Sequence, residues 1–211
     1  MARRAVPCGA VPPAFETIAR YWDPTHARHA AKILPGEFYV TTSDELIVTV
    51  LGSCVAACVR DPLGGVGGMN HFMLPTSATG IRAGESPHAW LATRFGNFAM
   101  ESLLNTVLTL GGRRDRLEVK LFGGGRVLEG LSDVGRTNIE FAREYVRVEQ
   151  LRTLAEDLGG IHPRKVYFDP RTGRANVRYL KVLTNDTITV REAALRARLD
   201  AAPTAGSVDL F

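Results

Sequence analysis

Residues 46–75 alternate extended, apolar stretches with turn chemistry strong enough to dictate an antiparallel hairpin. Leu46-Ile47-Val48-Thr49-Val50-Leu51 has the composition of a strand. Gly52-Ser53 allows a bend, and Cys54 opens the next extended segment. Arg60-Asp61-Pro62-Leu63-Gly64-Gly65 is a turn, and Met69-Asn70-His71-Phe72-Met73-Leu74-Pro75 runs back. If Pro62-Leu63 is a two-residue loop closed by Asp61 and Gly64, Cys54 and His71 face each other on one side of the ladder, Cβ atoms about 5 Å apart. A three-residue loop ending in a left-handed Gly64 turns His71 to the other face. A bulge at Gly67-Gly68 then restores the pairing.

A thiol beside an imidazole is the arrangement a cysteine nucleophile needs. A buried cysteine is more often a small hydrophobe, but two features set Cys54 apart. Gly52-Ser53 lets the backbone bend and leave amide N–H groups free, as an oxyanion hole requires. His71 offers a base within reach. The orienting third group is open among Asp44, Asp61 and Thr49, and Asp61 is explained more simply as the turn residue. Cys58 lacks a base in register and reads as core. Cys54-x-x-x-Cys58 is half a metal site at most. With His71 as a third ligand and no fourth, no metal is expected.

The 211 residues are 45% apolar, enough for a real core. The net charge of +4 is scattered, with no basic stripe, so no nucleic-acid partner is expected. No apolar run is long enough to span a membrane, and no apolar stretch follows Arg3-Arg4. Three cysteines, Cys8, Cys54 and Cys58, without a secretory signal imply reduced thiols and a cytoplasmic location.

Residues 1–31 read as a partly disordered N-terminal extension with a short helix around 14–21, because Pro7, Pro12, Pro13 and Pro24 interrupt any long one. Phe38-Tyr39-Val40-Thr41 is a strand. Residues 76–88 form a loop, and 89–110 a helix with Leu91, Phe95, Phe98, Leu103 and Val107 inward. Leu117-Glu118-Val119-Lys120-Leu121-Phe122 is a strand running into Gly123-Gly124-Gly125, a cluster without P-loop or dinucleotide spacing. Residues 137–146 form a helix capped by Thr137 or Asn138. Lys165-Val166-Tyr167-Phe168 and Ala175-Asn176-Val177-Arg178-Tyr179-Leu180 form a second hairpin. Residues 189–199 form a surface helix, and 201–211 a flexible tail. Helices and strands in mixed order with two hairpins indicate an α+β layered domain over 32–185, followed by a C-terminal helix and tail over 186–211.

Several motifs resemble the bacterial chemoreceptor glutamine deamidases (CheD type): Leu51-Gly52-Ser53-Cys54-Val55, Gly68-Met69-Asn70-His71-Phe72-Met73-Leu74-Pro75, Lys120-Leu121-Phe122-Gly123-Gly124, Gly135-Arg136-Thr137-Asn138 and Asp157-Leu158-Gly159-Gly160. They run in order through residues 33–183. The resemblance implies a single α/β sandwich domain with mixed and antiparallel sheets, shared with glutamine-deamidating toxins. It implies a cofactor-free protein-glutamine glutaminase acting on methyl-accepting chemotaxis receptors, and binding to a CheC-type phosphatase. It makes Cys54 the nucleophile, His71 the base and Thr49 the third catalytic residue. Gly52, Ser53 and Asn70 would serve the oxyanion or position the substrate.

Overall fold

The computed structural model describes residues 15–75, 87–126, 134–180 and 187–201. Its strands are β1 (Ala19–Asp23), β2 (Arg28–Lys32), β3 (Phe38–Thr41), β4 (Glu45–Leu51), β5 (Val55–Asp61), β6 (Val66–Asn70), β7 (Glu118–Gly123), β8 (Arg152–Leu158), β9 (Arg164–Phe168) and β10 (Ala175–Tyr179). Helices α1 (Pro87–Thr109) and α2 (Val134–Val148) flank β7, and α3 (Thr187–Asp200) follows β10. One sheet has the order β1-β2-β4-β9-β10, the other β3-β6-β5-β7-β8. Both are mixed, each with a single parallel pair, β2 with β4 and β7 with β8. This is the α+β sandwich the sequence indicates.

The second sheet is the middle layer, with α1 and α2 on its far side. That explains the composition of β5, Val-Ala-Ala-Cys-Val-Arg-Asp, in which nearly every residue is buried rather than every other one. A strand covered on both faces reads as a continuous apolar run. From α1, Met100, Leu103, Leu104 and Val107 are buried, each contributing about 1.5–3 kcal/mol of burial. Phe98, expected to point inward, is 72% exposed. At 100° per residue it falls two residues off the Met100-Leu103-Leu104-Val107 stripe. Strand β8 is an outer strand carrying Arg152, Glu156 and Asp157 on a largely exposed surface, a composition that discourages edge-to-edge pairing.

The first sheet corrects the reading of the N-terminal segment. Instead of a helix around 14–21, β1 and β2 form an antiparallel hairpin, and β2 pairs in parallel with β4. Pro24 sits in the hairpin turn. There Asp23 Oδ1 accepts from Thr25 N at 2.9 Å and His26 N at 3.1 Å, a side-chain-closed turn in which proline is at home. The helix α2 starts at Val134, so Thr137 and Asn138 lie inside it and do not cap it. Residues 76–86 and 202–211, read as loop and tail, lie outside the described residues.

The β5–β6 register differs from the expected two-residue turn. Asp61 pairs with Val66 and Cys58 with Met69, so the loop holds four residues, 62–65. Asp61 Oδ1 accepts from Leu63 N and Gly64 N, both at 2.9 Å. Gly65 closes the turn at φ +64°, a left-handed conformation that suits glycine. Pairing runs without a bulge through Gly67 and Gly68. Relative to the expected hairpin the strands have slid by two residues. An even slip leaves every side chain on its face, so Cys54 and His71 stay on one side as diagonal neighbours.

Candidate active site

Strand β4 belongs to the first sheet and β5 to the second, so the chain crosses the sandwich seam at Gly52-Ser53-Cys54. Three neighbours hold the carbonyls of this crossing. Gly52 O accepts from Gly125 N at 2.7 Å, Cys54 O from Gly124 N at 2.7 Å, and Ser53 O from Asn138 Nδ2 at 2.9 Å. The glycine cluster after β7 therefore serves a close backbone approach within the protein. Gly123 has φ +109°, and a Cβ there would lie 2.2 Å from Cys54 O. With its carbonyls tied back, the crossing presents its N–H groups to the other side. Those of Gly52, Ser53 and Cys54 converge on one carboxylate, Glu192 of α3, at 2.8, 3.0 and 3.3 Å. Ser53 Oγ also donates to it at 2.7 Å. The Gly52 and Cys54 amides meet on Glu192 Oε1, and the Ser53 amide and hydroxyl on Oε2, a cluster of donors that makes an oxyanion nest.

His71 follows β6 and is 1% exposed. Backbone bonds from His71 N to Glu37 O (2.9 Å) and from Gly36 N to His71 O (2.8 Å) fix it at the seam. Thr49 Oγ1 lies 2.8 Å from His71 Nδ1 and 2.9 Å from Ile33 O. A threonine has a single hydroxyl proton. Ile33 O can only accept, so that proton goes to Ile33, and Nδ1–H donates to Thr49. The lone pair is thereby placed on Nε2, which among the described residues has no hydrogen-bond partner. Cys54 Sγ, a ring nitrogen of His71 and a Glu192 oxygen lie within 4.8 Å of one another. These are donor types a metal could take, but both Glu192 oxygens are already engaged by amide and hydroxyl donors, the environment of a bound anion.

Burial dominates the titration of this site. It depresses His71 to about 4, against a smaller opposing pull from the Glu192 charge. It pushes the Cys54 thiol well above its ordinary value, and Glu192 adds to the rise. With α3 in place, the neutral thiol and neutral imidazole are the favoured pair.

Of the residues singled out in the sequence, Cys54, His71, Thr49, Gly52 and Ser53 come together at the seam. Asn70 does not. Its Oδ1 accepts from Ala57 N at 2.8 Å, and Nδ2 donates to Ala99 O at 3.0 Å, fastening the hairpin to α1. Asp44 pairs with Arg28 at the surface. Asp61 serves the turn and accepts from Arg116 at 2.6 Å. Cys58 is buried in the core, and burial raises its thiol pKa; Cys8 lies outside the described residues. Two residues escaped sequence reasoning. Asn138 belongs to a quoted motif, but its position inside a helix hid its reach to Ser53. Glu192 lies 138 residues from Cys54, on a helix whose sequence shows only a mixed, Arg-rich surface.

The family model described as CheD chemotactic sensory transduction matches residues 73–179. A protein of Halorhodospira halophila named "Probable chemoreceptor glutamine deamidase CheD" is 58% identical over 94% of this chain and 92% of its own length. Proteins with the same name from Hahella chejuensis and Herminiimonas arsenicoxydans are 50% and 51% identical, over 94% and 90% of this chain and 93% of each relative. With the match extending over nearly the whole chain, this protein belongs to the CheD family.

Proposed function

We propose that this chain is a protein-glutamine glutaminase that converts selected glutamines of methyl-accepting chemotaxis receptors to glutamate and ammonia. The observation that carries the reading is the line Thr49–His71–Cys54 ending beside three convergent amides. The names of the relatives supply the substrate class. His71 Nε2 takes the Cys54 proton, and the thiolate attacks the glutamine Cδ. The amides of Gly52 and Cys54, which meet on one Glu192 oxygen, stabilise the oxyanion, with the Ser53 amide beside them. Collapse breaks the C–N bond, and Nε2–H protonates the leaving nitrogen, which departs as ammonia. A water, deprotonated by Nε2, then cleaves the thioester, releasing glutamate and restoring the thiol. Every proton moves through one imidazole, and the scheme calls for no metal or organic cofactor.

The substrate gains a negative charge on a receptor helix, which alters the balance of i,i+4 pairs along the bundle. The reading places the protein in the cytoplasm, at the receptors' cytoplasmic helices. Among the described residues no helix is long and apolar enough to cross a membrane. Docking of a CheC-type phosphatase is part of the same reading, and co-elution of the two purified proteins tests it. The activity is tested by peptide mass spectrometry of a receptor signalling domain incubated with the protein. A gain of about 1 Da at particular glutamines, with matching ammonia, is expected for this chemistry. A shortened receptor would indicate a peptidase instead, and an unmodified receptor that co-purifies would indicate a docking module.

A further inference from the structure

Among the described residues, helix α3 reaches the nest with the Glu192 side chain. Glu192 is 2% exposed, while its neighbours Arg191, Ala193 and Ala194 face solvent. Leu195 is buried and Leu199 half-buried against the core, so among the described side chains Glu192, Leu195 and Leu199 form an inward stripe of the helix. A buried carboxylate ordinarily calls for a cation. Here its partners are the Gly52, Ser53 and Cys54 amides and the Ser53 hydroxyl. These are the donors that a tetrahedral oxyanion would use. While Glu192 holds them, a substrate oxygen has none.

The chemistry of this occupant is specific. Glutamate and glutamine share the same carbon skeleton out to Cδ. A glutamate side chain on a helix, its carboxylate in the oxyanion nest and within 4.8 Å of both Cys54 Sγ and a ring nitrogen of His71, is what deamidation of a helical glutamine leaves behind. We propose that α3 is a built-in, product-like occupant of the catalytic cleft, holding the enzyme inhibited until a receptor helix displaces it. This rests on the reading of Cys54 and His71 as the deamidating dyad. The titration of the site agrees with an idle state, because the docked carboxylate opposes formation of the thiolate.

The test uses the full chain carrying Glu192→Gln. With its Oε1 on the Gly52 and Cys54 amides and its Nε2 donating to the Ser53 hydroxyl, the introduced side-chain amide becomes a substrate in cis. The Cys54 thiolate attacks its Cδ, ammonia departs with the proton from His71, and water cleaves the thioester. The peptide containing position 192 should gain about 1 Da and each chain release one ammonia, at a rate independent of protein concentration. The C54A/E192Q double variant should keep the introduced amide intact. A second variant, Leu195→Asp, undocks α3 without touching the reacting atoms. It should lower KM for the receptor fragment about ten-fold if α3 is docked nine-tenths of the time, with kcat unchanged. Persistence of the amide at position 192 in an E192Q protein that still deamidates the receptor would overturn the proposal and leave the catalytic reading standing. An unchanged KM in a folded L195D protein would also overturn it. Failure to deamidate either position 192 or the receptor would remove the dyad reading and the proposal together.

Discussion

In the proposed mechanism His71 acts as a base toward Cys54, and Thr49 decides which ring nitrogen carries the proton. The Thr49 hydroxyl is committed to Ile33 O, so it can only accept from Nδ1–H. Thr49→Val keeps the shape and removes the acceptor. The imidazole is then free to adopt the other tautomer, with Nε2–H facing the thiol. We expect kcat to fall about 10- to 100-fold, part of the ~10²–10⁴ that positioned acid–base catalysis contributes, with KM little changed. Steady-state kinetics on a receptor fragment checks this, and a wild-type kcat would remove Thr49 from the machinery. Both members of this pair could be read in the sequence, because Thr49 lies on the strand entering the cysteine turn and His71 just past the return strand of the hairpin that follows it. The direction of the proton could not, since it depends on Ile33 O, which only the β2–β4 pairing brings close.

At the scale of elements, the nest is made by tying a short crossing from behind. Asn138 does this from inside α2, accepting from Leu74 N at 2.8 Å while donating to Ser53 O. Asn138→Ala leaves two buried backbone groups without partners. It should lower unfolding stability by about 2–3 kcal/mol, of the order of one to two unsatisfied groups, and lower kcat through a loosened nest. Denaturant melts and kinetics on the same preparation check both. The strand pattern around Cys54 and His71 was legible because extended apolar runs on either side of Asp61-Pro62-Leu63-Gly64 mark a hairpin whatever its exact loop. The loop length was not, because the Asp61 side chain closes a four-residue turn as readily as backbone closes a shorter one. The pairing survived the error because the slip was even. The β1–β2 hairpin was missed because Pro24 reads as a helix breaker in the chain, whereas in the fold it is a turn residue beside Asp23.

At the scale of the whole molecule, the dyad sits at the seam of two sheets, and the same burial that shields it makes the fold acid-sensitive. His71 titrates at about 4 in the folded protein against an ordinary 6.5. Between those values the unfolded chain binds the extra proton and the native state does not, so stability rises with pH through that window. The contribution is complete above pH 6.5 and is lost as pH falls toward 4. Asp61, held at about 2 where burial is outweighed by hydrogen bonds from Gly64, Arg113 and Arg116, acts at lower pH. Urea midpoints at closely spaced pH values should therefore fall between 6.5 and 4, and a flat profile would mean that His71 is more open to water than its surroundings imply. The sandwich itself followed from helices and strands in mixed order. Its seam did not, because Glu192 comes from the far end of the sequence, on a helix whose composition suggests only a surface.

The most direct test of thioester deamidation at Cys54 is the fate of solvent oxygen. A receptor signalling domain is incubated with the protein in ¹⁸O-water, beside the Cys54→Ala variant, and its peptides are weighed. Hydrolysis through the Cys54 thioester should add about 3 Da at particular glutamines, with one labelled oxygen in each new carboxylate, and the variant should leave them untouched. Labelled glutamates formed equally by Cys54→Ala would contradict the account.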